Sequence, residues 1–97
     1  MEYLKYYNLT DQDINLIATN LDSCYVNDFY LNPEKIKNII DYLVQKGIRN
    51  IKQVIMFRPQ LFQNDLEGIK KSFETSDLPN FIEQINEDII NFELIGL

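Results

Sequence analysis

Residues 31–62, "LNPEKIKNIIDYLVQKGIRNIKQVIMFRPQLF", carry two helix starts, a glycine stop and a proline stop within one apolar rhythm. Asn32 can cap a helix, and Pro33 suits its first turn because the N–H there has no intrahelical partner. Gly47 suits the left-handed residue that ends it, so the spacing predicts a helix from about Pro33 to Lys46. Ile36, Ile39, Ile40, Leu43 and Val44 fall at i, i+3, i+4, i+7 and i+8, a single stripe that must pack against other helices. Lys37, Asn38, Asp41 and Gln45 lie on the other face. Asn50 can cap a second, short helix with Ile51, Val54 and Ile55 inward, until Pro59 disfavours helix at Arg58.

The same grammar recurs on both sides. Thr10 with Asp13 resembles a capping box and opens a helix with Ile14, Ile17, Ala18 and Leu21 inward, ending near Asp22 or Ser23. Asn64 with Glu67 repeats the device before Leu66, Ile69 and Phe73, and Asn80 with Glu83 repeats it before Ile82, Ile85, Ile89 and Phe92. In "SCYVNDFYL", residues 23–31, Tyr25, Val26, Phe29 and Tyr30 favour extended structure, but no second stretch offers a strand partner, so it reads as a packed connector. The expectation is an all-α fold, a single domain over residues 1–97 with about five short helices.

Composition agrees. Ninety-seven residues at 45% hydrophobic content suffice for one modest core. A single cysteine, Cys24, excludes an intrachain disulfide and fits a reducing compartment, with the cytoplasm as the default. The start, "MEYLKYYNLTDQD", lacks the basic and apolar regions of an export signal, and no apolar run approaches the roughly 20 residues needed to cross a bilayer. No membrane partner is expected.

A faint internal likeness links "YLKYYNLTDQDINLI" to "YLVQKGIRNIKQVI". Both have Tyr-Leu, then a turn residue before an apolar one (Asn8-Leu9, Gly47-Ile48), then apolar positions three apart. Two unrelated amphipathic helices would also look alike, and the final "FELIGL" could start the pattern again.

Residues 31–73 resemble one repeat of the mitochondrial transcription termination factor family. In that family a helix ending in Leu-x-x-x-Gly-Ile/Leu leads into a short helix closed by Pro-x-Leu-Leu/Phe. The matching positions are Leu43, Gly47, Ile48, Ile51, Val54, Ile55, Pro59, Leu61 and Phe62. The resemblance implies stacked helical hairpins, here with room for two, and nucleic-acid binding along a basic concave face.

Charge is the most informative functional clue. The net charge is −6, yet residues 1–34 carry −5, residues 35–71 carry +5 and residues 72–97 carry −6. One reading is solvated helix faces arranged to suit the helix dipoles. A second is phosphate binding by the basic middle, through Lys52, Arg58, Lys70 and Lys71. A third is an acidic face, carried by Glu83, Glu87 and Asp88, that meets a basic protein surface.

Other chemistry finds little support. The absence of histidine removes the usual general base, the usual nucleophile pairs and the commonest metal ligand. Cys24 has acidic neighbours, Asp22 and Asp28, and reads as a buried structural thiol. Asp11, Asp13, Asn15 and Asp22 have calcium-loop spacing, but Leu16 stands where the sharp turn needs glycine, so a helix with an acidic start is the better account. No glycine-rich phosphate loop and no cofactor motif is present. Six tyrosines exceed what a small core hides, which makes Tyr6 and Tyr7 candidates for a protein contact. The expectation is a non-enzymatic, acidic protein-binding regulator or inhibitor, the alternative a short nucleic-acid-binding repeat protein.

Overall fold

Gly47 is the hinge of the computed structural model, which describes residues 1–76 and 80–97. It stands at φ +98°, the left-handed conformation that glycine adopts without steric cost. The N–H of Gly47 donates to Val44 at 3.0 Å and that of Ile48 to Leu43 at 3.0 Å, the paired bonds of a Schellman stop. They close α3, Pro33–Gln45, and turn the chain into α4, Ile51–Phe57. Two helices precede them, α1 over Asp11–Asn20 and α2 over Ser23–Leu31, and two follow, α5 over Leu66–Glu74 and α6 over Phe81–Glu87. Three 3₁₀ segments complete the described residues: Glu2–Tyr7, Pro59–Gln63 and Ile89–Ile95.

The fold is all-α, as the periodicity predicts, with several local differences. Residues 23–31 are helical, because Phe29 is fully buried there and meets Phe62 at 5.4 Å; tertiary packing overrides local extended preference. The last apolar stretch is not one helix. It breaks at Asp88, whose carboxylate accepts from the N–H of Ile90 and starts the final 3₁₀ segment.

Of the caps, Thr10 and Asp13 form the expected reciprocal box, at 3.1 and 3.0 Å. The cap of α5 is Asp65 rather than Asn64, its carboxylate accepting from Gly68 at 2.8 Å. The side chains of Asn32, Asn50 and Asn80 do not cap. Asn32 bonds Asp28 instead, Asn50 reaches Asn86, and Asn80 adopts φ +62°.

A unit of helix, helix and 3₁₀ turn occurs twice, thirty residues apart. α4 and α6 begin and end in register, as do the starts of the 3₁₀ turns at Pro59 and Ile89. α5 corresponds to residues 36–44 of α3. Corresponding apolar positions Ile39 and Ile69, Leu43 and Phe73, Ile55 and Ile85, and Phe62 and Phe92 are all buried. The units stack side by side, α3 against α5 and α4 against the last 3₁₀ segment, while α1 and α2 cover the first unit. The Asn8 and Gly47 likeness is narrower than a repeat, since one follows a 3₁₀ segment and the other an α-helix. What recurs is the left-handed stop, again at Gly96 with φ +79°.

The core runs through both units from Leu4 to Phe92, and among the described residues the one buried residue with a polar side-chain atom is Tyr42. The radius of gyration, 12.9 Å, matches the roughly 12.5 Å expected for a compact chain of this length. Among the described residues no helix is long and apolar enough to cross a membrane.

Candidate functional site

The stack brings the end of α4 beside the end of α6, and an open groove of about 460 Å³ lies between them. Gln53, Phe57 and Arg58 line it from the first unit, and Glu87, Asp88, Ile89 and Ile90 from the second. Phe57 and Ile90 lie out of phase with their buried neighbours, which leaves them 69% and 53% exposed. Arg58 ties the walls together. Its guanidinium donates to the Ile90 carbonyl at 3.2 Å and pairs with Glu93 at 3.0 Å.

The acidic residues singled out from the sequence are therefore partly gathered. Glu87 and Asp88 line the groove, while Glu83 is exposed one helical turn before Glu87 on α6. None of the three makes an ion pair among the described residues.

Tyr6 and Tyr7 form a separate surface that shares no lining residue with this groove. Their rings meet edge to face at 5.1 Å, and Tyr6 is 82% exposed. The Tyr7 hydroxyl donates to Asp41 at 2.7 Å, and burial, then this carboxylate, raises its pKa. Val44, expected on the inward stripe, is instead 49% exposed and lines a shallow depression with Tyr6 and Tyr7. Tyr42 takes the buried place, because the stripe turns toward α5, where its ring meets Phe73 at 5.5 Å.

Three of the four basic candidates are engaged within the molecule. Lys52 pairs with Asp13 of α1 at 2.9 Å, Arg58 with Glu93, and Lys70 loosely with Glu67 at 4.0 Å. Lys70 also sits over the Tyr42 ring. Lys71 is exposed and has no ion pair among the described residues. Two of these pairs join the basic middle of the chain to its acidic ends, so the charge blocks lace the fold together.

Cys24 is exposed rather than buried, because it occupies the solvent side of the first turn of α2. Asp11 and Asp13 belong to a regular helix and pair with Lys5 and Lys52. Among the described residues no group of three or more Asp, Glu, His or Cys is placed to hold a metal ion.

Phe57 and Ile90 are not among the site residues expected from the sequence. Their signal was present as apolar residues off the helical stripe, Phe57 beside Ile51, Val54 and Ile55, and Ile90 beside Ile85, Ile89 and Phe92. No protein-family model, no curated protein and no solved structure matches the chain.

Proposed function

We propose that this chain is a non-enzymatic binding module of the cytoplasm, a small acidic regulator or inhibitor that engages a basic surface of another protein. The observation that carries this reading is the unequal fate of the candidate charges. Of the four basic candidates Lys52, Arg58 and Lys70 are paired within the molecule and Lys71 is not, whereas none of the acidic candidates Glu83, Glu87 and Asp88 has an ion pair among the described residues. The unpaired acids speed encounter with a basic partner and disfavour phosphate.

A second reading is favoured by one observation, the recurrence of the helix, helix and 3₁₀ unit. It makes the chain a short termination-factor-like repeat protein that touches DNA or RNA through Lys52, Arg58, Lys70 and Lys71. Lys52 and Arg58 would have to leave Asp13 and Glu93 to do so, which weakens it.

Electrophoretic mobility of labelled single- and double-stranded DNA and RNA separates the two. At roughly 0.15 M salt the first reading expects no retardation. Retardation there that is lost in Lys70→Glu/Lys71→Glu would establish the second instead.

A further inference from the structure

The groove at the end of α4 has unbalanced chemistry. Phe57 and Ile90 present apolar surface to water from its two walls, an arrangement that a bound apolar side chain would relieve. Its single cation, Arg58, is engaged by Ile90 and Glu93, while Glu87 and Asp88 have no ion pair among the described residues, Asp88 accepting only the N–H of Ile90.

The imbalance comes from divergence between the stacked units. Thirty residues separate Phe57 from Glu87 and Arg58 from Asp88, so corresponding positions carry an aromatic and a cation in one unit and two acids in the other. A groove with apolar side chains on both walls and its two acids on one of them gives its occupant a direction. It is also open to solvent, whereas a small-molecule site encloses most of its ligand. A polypeptide can add contacts beyond the groove's ends.

We propose that this groove receives a basic peptide segment of a partner protein, which places one aromatic or aliphatic side chain between Phe57 and Ile90 and a lysine or arginine against Glu87 and Asp88. The inference rests on the protein-binding reading above and adds its location and chemistry. Recognition follows the anchor logic of peptide grooves: the apolar side chain supplies the affinity, and the cation sets orientation and excludes acidic competitors.

The test is selection from a displayed random library of peptides roughly twelve residues long, on the whole protein at about 0.15 M salt. Enriched peptides should combine an aromatic or aliphatic residue with lysine or arginine. Their affinity should fall at least about tenfold in Glu87→Lys and in Phe57→Ser, and stay unchanged in Tyr30→Ser, at an exposed position outside the groove. All three positions are exposed, and urea unfolding of each variant verifies that it is folded. Enriched peptides that are acidic, or that bind Glu87→Lys and Phe57→Ser unchanged, overturn the groove and leave protein binding standing. If no peptide enriches, the inference falls, and retardation of DNA or RNA in the same buffer takes the protein-binding reading with it.

Discussion

Asn86 on α6 donates from Nδ2 to the carbonyl of Gly47 at 2.8 Å, fastening the second unit to the turn that ends α3. The same side chain accepts the Arg49 N–H at its Oδ1, 2.9 Å away. Two backbone groups of the α3–α4 turn thus depend on one amide. Asn86→Ala leaves both to water or to nothing, and should cost about 1–3 kcal/mol, read as a lower urea midpoint at unchanged slope.

Gly47 makes a distinct prediction. A Cβ added there would lie 3.4 Å from Ile82 Cγ2, an ordinary contact, so the cost of substitution comes from the left-handed backbone. Gly47→Ala should lose about 1–2 kcal/mol, and Gly47→Asn less, since asparagine tolerates this conformation, as Asn8 does at φ +68°. Thermal unfolding should rank the proteins Gly, Asn, Ala. Equal loss in both variants would place the cost in the Ile82 contact.

The Tyr42 hydroxyl is buried without a hydrogen-bond partner among the described residues, and the Lys46 and Lys70 ammonium groups stand over its ring, 5.5 and 5.8 Å from the centroid. Burial, then the charge of Glu74, raises its pKa. An unmade bond of this kind is a liability. Tyr42→Phe should raise stability by about 1 kcal/mol, whereas Tyr42→Ala should lower it by about 3–5 kcal/mol through the lost ring. Denaturant midpoints distinguish the two, and destabilisation by phenylalanine would mean that the hydroxyl has a partner in solution.

Asp13 predicts a pH dependence. Its carboxylate accepts the Thr10 backbone N–H and pairs with Lys52, and both hold its pKa below the ordinary carboxylate value. A group with a depressed folded pKa adds stability above its unfolded pKa, near 3.9, and loses it as pH falls through the folded value. Wild type should therefore lose this contribution in acid, and Asp13→Asn should show a shallower acid-side decline. NMR titration of the Asp13 carboxyl checks the direction.

The elements differ in how openly the chain declares them. α3, α4 and the Thr10–Asp13 box were legible because periodicity, stop and cap point the same way within a few residues. The asparagine caps were not, because an Asn three residues before a Glu is only a local coincidence when the chain's approach angle is set elsewhere. Asn64 and Asp65 are both extended, and Asp65 caps because it directly precedes Leu66 and reaches the Gly68 N–H, while the Asn64 amide turns back to the Leu61 carbonyl. α2 was missed because its aromatic residues look extended until Phe29 finds Phe62, a contact made across 33 residues. The groove lay beyond reach for the same reason: Phe57 and Ile90 are also 33 residues apart, and only the stacking of the units brings them together. Of the charge blocks, the imbalance was plain, but its intramolecular pairing required the register of α1 on α4 and of Arg58 on the last segment.

Because the Phe57 groove straddles the seam between the two stacked units, occupancy and cohesion are one equilibrium. A stacked pair parts most readily at its internal boundary, where it is held here by Arg58, Asn86 and the α3–α5 contact. Whatever fills the groove touches both sides and acts as a clamp, adding RT ln(1 + [L]/Kd) to the work of separating them. Amide hydrogen exchange in α6 should then slow on binding even at residues that the guest never touches.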